Sequence, residues 1–186
     1  TLFYNGQSGD VFSYVYNDNG NLNGEGENEG NLIYVPADPS EIVFADAGSA
    51  AGQWDALDRF IENDPYLSTR RGQYAERNAA RSPFSHIVDF KFAQDIFVKT
   101  GDIRHTLQLT FDLFNVGNLI NPKWGRKYYV SYNTFTLIDF EGFVDAEGGD
   151  YTPLFSFEDP GDIYDIDDSG VISSRWQAQI GIRYIF

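Results

Sequence analysis

The sequence contains no cysteine and no methionine, and only 13 Lys and Arg among its 186 residues. The missing cysteine excludes disulfides, thiolate metal sites and a cysteine nucleophile. The shortage of basic residues against 28 Asp and Glu leaves a formal charge of −15. That balance argues against nucleic-acid binding, because phosphate contacts are made by Lys and Arg. No run of about 18 apolar residues exists, so no transmembrane helix is available. A membrane-spanning strand is not excluded, because it needs only about ten alternating residues. The chain opens directly on the strand-like "TLFYNGQSG", without Met and without a signal peptide, and is expected to be a segment of something longer. There is no serine elbow or phosphate loop, and no spacing singles out an acid–base pair of carboxylates. No enzymatic activity is expected.

What the chain has in excess is aromatic residues, 12 Tyr and 16 Phe, and they fall into period-two patterns. In "SRWQAQIGIRYIF" the alternating set is Trp176, Ala178, Ile180, Ile182, Tyr184 and Phe186. In "FSHIVDFKFAQDIFV", Phe84, His86, Val88, Phe90, Phe92, Gln94, Ile96 and Val98 share one face. In "RHTLQLTFDLFNV", Leu107, Leu109, Phe111 and Leu113 oppose Thr106, Gln108, Thr110 and Asp112. Period two means strands with one apolar and one polar face. A soluble sandwich would give the same alternation. Length separates the two. Runs of roughly 13 to 15 residues reach about 40 to 50 Å, well beyond the usual globular strand.

The connections are unequal. "KTGD" (Lys99–Asp102) is a tight turn, whereas the other two links are long. Alternation of short turns with long outer loops is typical of outer-membrane barrels and rare in compact soluble domains. The fold expected is therefore all-β: four antiparallel strands of a large transmembrane β-barrel, at about 1–16, 84–98, 104–116 and 174–186. The links at about 17–82 and 117–172 are expected to be long extracellular loops. Val88, Phe90, Phe92, Leu107, Leu109, Phe111, Ile180 and Ile182 are expected to face lipid. His86 and His105, near opposite ends of their strands, suit the membrane interface, where amphipathic rings collect.

The loops carry most of the acid. Within the first, "SAAGQWDALDRFIEND" reads as a short helix, with Ser49 as its cap, an apolar stripe of Trp54, Leu57 and Ile61, and Pro65 beyond its end. The second holds eleven Asp and Glu between Asp139 and Asp168 and no Lys or Arg. Such a run is either a solvated surface or a funnel for ligands or cations. "NGNLNGEGENEG" sets Asn19, Asn21 and Asn23 at alternate positions before a Gly, and "DIDDSG" does the same with Asp165 and Asp167. Both resemble the start of a calcium loop, but the twelfth position, where a bidentate Glu belongs, is Gly30 in one and Trp176 in the other. No cofactor is expected, and calcium is the one ion these stretches could take.

The final strand, ending on Phe186 with Tyr184, Ile182 and Ile180 at every second position before it, resembles the C-terminal assembly signal of outer-membrane β-barrels. "FDLFNVGNLINPKWG" (Phe111 to Gly125) is similar to the near-terminal strand and turn of TonB-dependent receptors. "YNGQSG", "SYVYN", "NLIYVP", "RGQYAERN" and the last strand together resemble the C-terminal end of Oar-like TonB-dependent receptors. The resemblance implies a 22-strand barrel plugged by an N-terminal domain, in the outer membrane of a Gram-negative bacterium, that imports a ligand with energy from TonB. It implies as partners the remaining strands and plug, the barrel-assembly machinery, TonB through the N-terminal part, and outer-membrane lipid. Two alternatives stay open: a non-transporting barrel serving adhesion or scaffolding a surface or secretion complex, and a soluble β-sandwich whose surface Trp and Tyr stack sugars.

Overall fold

A computed structural model describes residues 1–18, 22–23, 30–168 and 174–186. The chain is mostly β-strand. In chain order it forms β1 (Leu2–Gln7), β2 (Val11–Asn17), β3 (Tyr34–Val35), α1 (Ala50–Asn63), β4 (Gln73–Tyr74), β5 (Ala80–Arg81), β6 (Ser85–Thr100) and β7 (Ile103–Phe114). There follow α2 (Val116–Ile120), β8 (Tyr128–Tyr129), β9 (Thr134–Asp145), β10 (Asp150–Ser156), β11 (Asp165–Ile166) and β12 (Gln177–Ile185). These divide into two units. The first is built from Thr1–Gly9, Pro83–Tyr129 and Asp165–Phe186, and the second from Asp10–Ser82 and Val130–Tyr164.

The first unit is a four-stranded antiparallel sheet in the order β1-β6-β7-β12. Among the described residues it does not close on itself. Gly101, at φ 63°, occupies the first central position of the two-residue turn between Thr100 and Ile103, the placement a tight hairpin reserves for glycine. Beyond β7 the chain enters a hydrogen-bonded knot. Asn115 takes the left-handed conformation (φ 52°), its N–H donates to Asp89 Oδ1 at 2.8 Å, and its Nδ2 donates to the carbonyl of Gly125 at 2.8 Å. Asn118 Nδ2 donates to the Pro122 and Trp124 carbonyls, and its Oδ1 accepts the Trp176 N–H at 3.3 Å. The Lys127 N–H donates to Ser174 Oγ at 2.8 Å. The residues just ahead of β12 are thereby tied to the turn that follows β7.

The second unit has its own sheet, ordered β10-β9-β2-β5, with the small β3–β4 pair and helix α1. Its core includes Phe12, Tyr14, Ile33, Val35, Leu57, Ile61, Leu67, Ile138 and Phe155. Helix α1 buries Leu57 and Ile61 from its apolar stripe.

Several expectations are corrected here. The strand expected over 1–16 is two strands, because the chain leaves the first sheet at Ser8–Asp10 and β2 belongs to the second. The expected loops at about 17–82 and 117–172 are not open excursions. Much of their length folds into the second unit, because they hold enough apolar side chains to bury a core. Ser49 makes no capping hydrogen bond to the helix. Its Oγ lies 2.6 Å from Asp46 Oδ2, and its carbonyl accepts the first helical bond from the Gln53 N–H.

Candidate functional site

The cross-strand register of the first unit gathers one kind of side chain on one face. Leu2 pairs with Phe90, Tyr4 with Val88, Phe92 with Phe111, Ile96 with Leu107, and Val98 with His105. On the other side of β7, Ile180 pairs with Phe111, Ile182 with Leu109, and Tyr184 with Leu107. Directly paired residues point to the same side of a sheet. All eight residues expected to face lipid therefore fall on one surface that runs across β6, β7 and β12. That surface is open: Ile180 is 77% exposed, Ile182 72% and Phe92 50%. Apart from Gln94, opposite Leu109, this face is built of exposed aliphatic and aromatic side chains, the composition of an interaction surface.

The opposite face is polar and internally paired. Lys91 Nζ lies 3.1 Å from Asp112 Oδ1, its direct cross-strand neighbour. Gln108 Nε2 donates to Asp95 Oδ1 at 2.9 Å, and the Arg104 guanidinium stands 4.2 Å over the Phe97 ring.

A ring pair stands toward each end of the apolar face. The Tyr4 hydroxyl lies 2.8 Å from His86 Nδ1, and the Tyr184 hydroxyl 2.6 Å from His105 Nδ1. The second pair is stacked at 3° between ring planes, and Tyr184 stacks in turn on Phe186 with centroids 5.7 Å apart. Along β6, His86 and Val98, the latter in register with His105, are twelve residues apart, a run of about 40 Å. Inclined at about 40°, that run spans a slab roughly 30 Å thick. Sequence reading found both histidines but not their tyrosine partners. The signal was available, since Tyr4 continues the alternation of Leu2 and Gly6, but pairing requires the register of β1 on β6.

Both lateral edges of this sheet, β1 and β12, lack a strand neighbour among the described residues. Among the described residues, β6 runs on past Lys91, the last of its residues to bond the β1 side, with only β7 beside it. Each such edge is a row of free N–H and C=O groups.

Two features of the second unit escaped the sequence. A groove of about 920 Å³ is lined in part by Tyr34, Glu41, Tyr74, Arg77, Pro153 and Phe155. The Tyr34 and Tyr74 rings meet edge to face at 5.3 Å, and Tyr74 is exposed. Desolvation, followed by the neighbouring Glu41, pushes the Tyr34 phenol above its ordinary value. Separately, the Tyr14 hydroxyl is buried and donates to Asp64 Oδ2 at 2.6 Å, while Asp64 Oδ1 accepts the Tyr66 and Leu67 N–H groups. Burial, then the Asp64 charge, pushes the Tyr14 phenol far up. With its two oxygens so occupied, this carboxylate fixes the chain after α1 rather than offering a free base.

The candidate metal ligands among the described residues are not brought together. Asn19 and Asn21 lie outside the described residues. Asn23 Nδ2 donates to Asn31 Oδ1 at 2.9 Å. Asp165 pairs with Tyr129 in β11–β8, and the Asp167 backbone bridges Lys127 and Ser174. Among the described residues no group of three or more His, Asp or Glu side chains is placed to hold an ion. No family model, no curated protein and no solved structure matches this chain.

Proposed function

We propose that this chain supplies C-terminal strands of an outer-membrane β-barrel of the Oar-like TonB-dependent receptor type, and that the whole protein imports a ligand across that membrane. The observation that carries the membrane part is the apolar face of β6, β7 and β12, broken only by Gln94 among the described residues, between the Tyr4–His86 and Tyr184–His105 pairs. Facing water, that surface would be an aggregation hazard, whereas facing hydrocarbon it is the ordinary exterior of a barrel. The ring pairs then sit at the two headgroup levels. The open edges support the same reading: unpaired strand edges are not tolerated in hydrocarbon, so β1 and β12 require neighbouring strands from the rest of the barrel. The TonB-dependent transport part rests on the sequence resemblance. It names as partners the remaining strands and plug, TonB, the assembly machinery that reads Phe186, and lipid.

This stretch has no native cysteine, so labels placed in it are unambiguous once any cysteine elsewhere in the barrel protein is replaced. Single cysteines are introduced along β7 and β12 of the barrel protein containing this sequence, spin-labelled, and reconstituted in lipid vesicles. Labels at positions 107, 109, 111, 180 and 182 are expected to relax with dissolved oxygen. Labels at 108, 110 and 181 are expected to be shielded from lipid. Relaxation of the first set by a water-soluble nickel chelate, or recovery of the protein in the soluble fraction, refutes the reading.

A further inference from the structure

The charge of the chain is not shared between its two units. The first has eight Lys and Arg against seven Asp and Glu, a net charge of +1, and the second has five against 21, a net charge of −16. All of the chain's acidity is therefore a property of the second unit. Within that unit most arginines are already engaged. Arg71 pairs with Asp58 and Glu62, Arg70 with Glu76, and Arg59 with its own helix backbone. A field of this sign and size raises the local concentration of cations.

Charge alone does not make a site. The groove beside β3 and β4 does offer one. Its wall presents the exposed Tyr74 ring, the edge of Tyr34 and the apolar surfaces of Pro153 and Phe155, with the Glu41 carboxylate beside Tyr34. Exposed Tyr faces bind cations through the ring quadrupole, and Tyr is among the commonest energetic anchors of polypeptide interfaces. At about 920 Å³ the groove is far too large for a bare ion, and the described carboxylates nowhere gather into a chelating group. Its size is that of an ordinary ligand cleft, with room for a few side chains of a docked segment.

We infer that the second unit docks a basic polypeptide segment, with a Lys or Arg side chain over Tyr74 beside Glu41 and the surrounding acid steering the approach. Arg77, which has no hydrogen-bond or ion-pair partner among the described residues, sits in the same groove and faces the segment's backbone carbonyls. The inference is independent of the membrane reading, since it uses only residues of the second unit.

The test uses the whole chain in a polyoxyethylene detergent and three probes: a fluorescein-labelled decapeptide of alternating Lys and Ser, the same peptide with Glu for Lys, and maltohexaose. The Lys peptide is expected to bind, the Glu peptide is not, and affinity is expected to fall at least tenfold from 20 to 500 mM NaCl. Tyr74→Ala and Glu41→Gln, both at exposed positions, are each expected to weaken the Lys peptide about five- to tenfold at fixed salt, with circular dichroism unchanged. Equal binding of the Lys and Glu peptides overturns the inference. So does Lys-peptide binding that ignores both substitutions, which leaves only diffuse attraction. Tyr74-dependent binding of maltohexaose without binding of the peptide also overturns it, in favour of a saccharide site.

Discussion

Arginine at position 180 separates a lipid-facing sheet from a water-facing one. Phe92, Phe111 and Ile180 form a row in direct register across three strands. Phe92 lies six residues from His86 and six from Val98, so the row marks the middle of the slab between the ring pairs. If the face meets water, Ile180→Arg replaces a side chain that is 77% exposed and should change stability by less than about 0.5 kcal/mol. If it meets hydrocarbon at mid-depth, the same change costs about 2–4 kcal/mol. That is a factor of roughly 30 to 700 in the folding equilibrium. The control is one residue away: Gln179 points to the polar face, opposite Asp112, and Gln179→Arg is expected to stay within about 0.5 kcal/mol. The assay is guanidinium unfolding of the vesicle-reconstituted barrel, followed by tryptophan fluorescence. Equal midpoints for the two variants would refute the assignment of the faces.

Three further outcomes are expected. Gly125→Ala should lower stability by at least about 2 kcal/mol in thermal unfolding, because an added Cβ would collide with Asn115 Oδ1 at a residue with φ 62°; Gly52→Ala in α1, where nothing lies within 4 Å, should be neutral or gain up to about 1 kcal/mol. Burial pushes the Tyr16 phenol up to about 12, so its protonated form is favoured by folding. That contribution is complete below the ordinary phenol value near 10 and is lost as pH rises from there through about 12; Tyr16→Phe should flatten unfolding free energy against pH in that window by about one proton, and an unchanged slope would count against burial as the cause. Phe186→Ala should reduce the heat-modifiable, assembled protein recovered from outer membranes while leaving expression unchanged, and normal assembled levels would remove Phe186 from the assembly signal.

The sheet of the first unit was legible because its pattern is simple. Strict alternation over β6, β7 and β12 reveals both faces, and Gly101 marks the turn. The second unit was not legible, for reasons visible in its strands. β2 is an interior strand whose residues from Phe12 to Tyr16 are all buried, so it shows no polar face to alternate with. In β9, Leu137 and Ile138 are consecutive and both buried, because a bulge shifts the register between the Val15–Thr136 and Tyr16–Ile138 pairs. A one-residue insertion of this kind erases the period-two signal while preserving the core. β3, β4 and β5 are two residues each, too short for any period. Of the candidate site, the positions on the apolar face could be read from one strand at a time. The Tyr–His pairs and the groove could not, because each joins residues far apart in the chain.

The parallel pairing of β2 with β9 has a kinetic consequence. Ser13 meets Thr134, so the central ladder of the second unit closes a loop of 121 residues, and β6, the turn and β7 all lie inside it. Closing such a loop as flexible chain costs about 4 kcal/mol of entropy, whereas the β6–β7 hairpin closes across two residues. Forming the hairpin first shortens the effective loop, so local pairing should precede the distant one. The second unit then matures only after the strands between its halves have met. Its folded state, detected by a conformation-specific antibody or by protease resistance, would serve as a timestamp for hairpin formation during biogenesis.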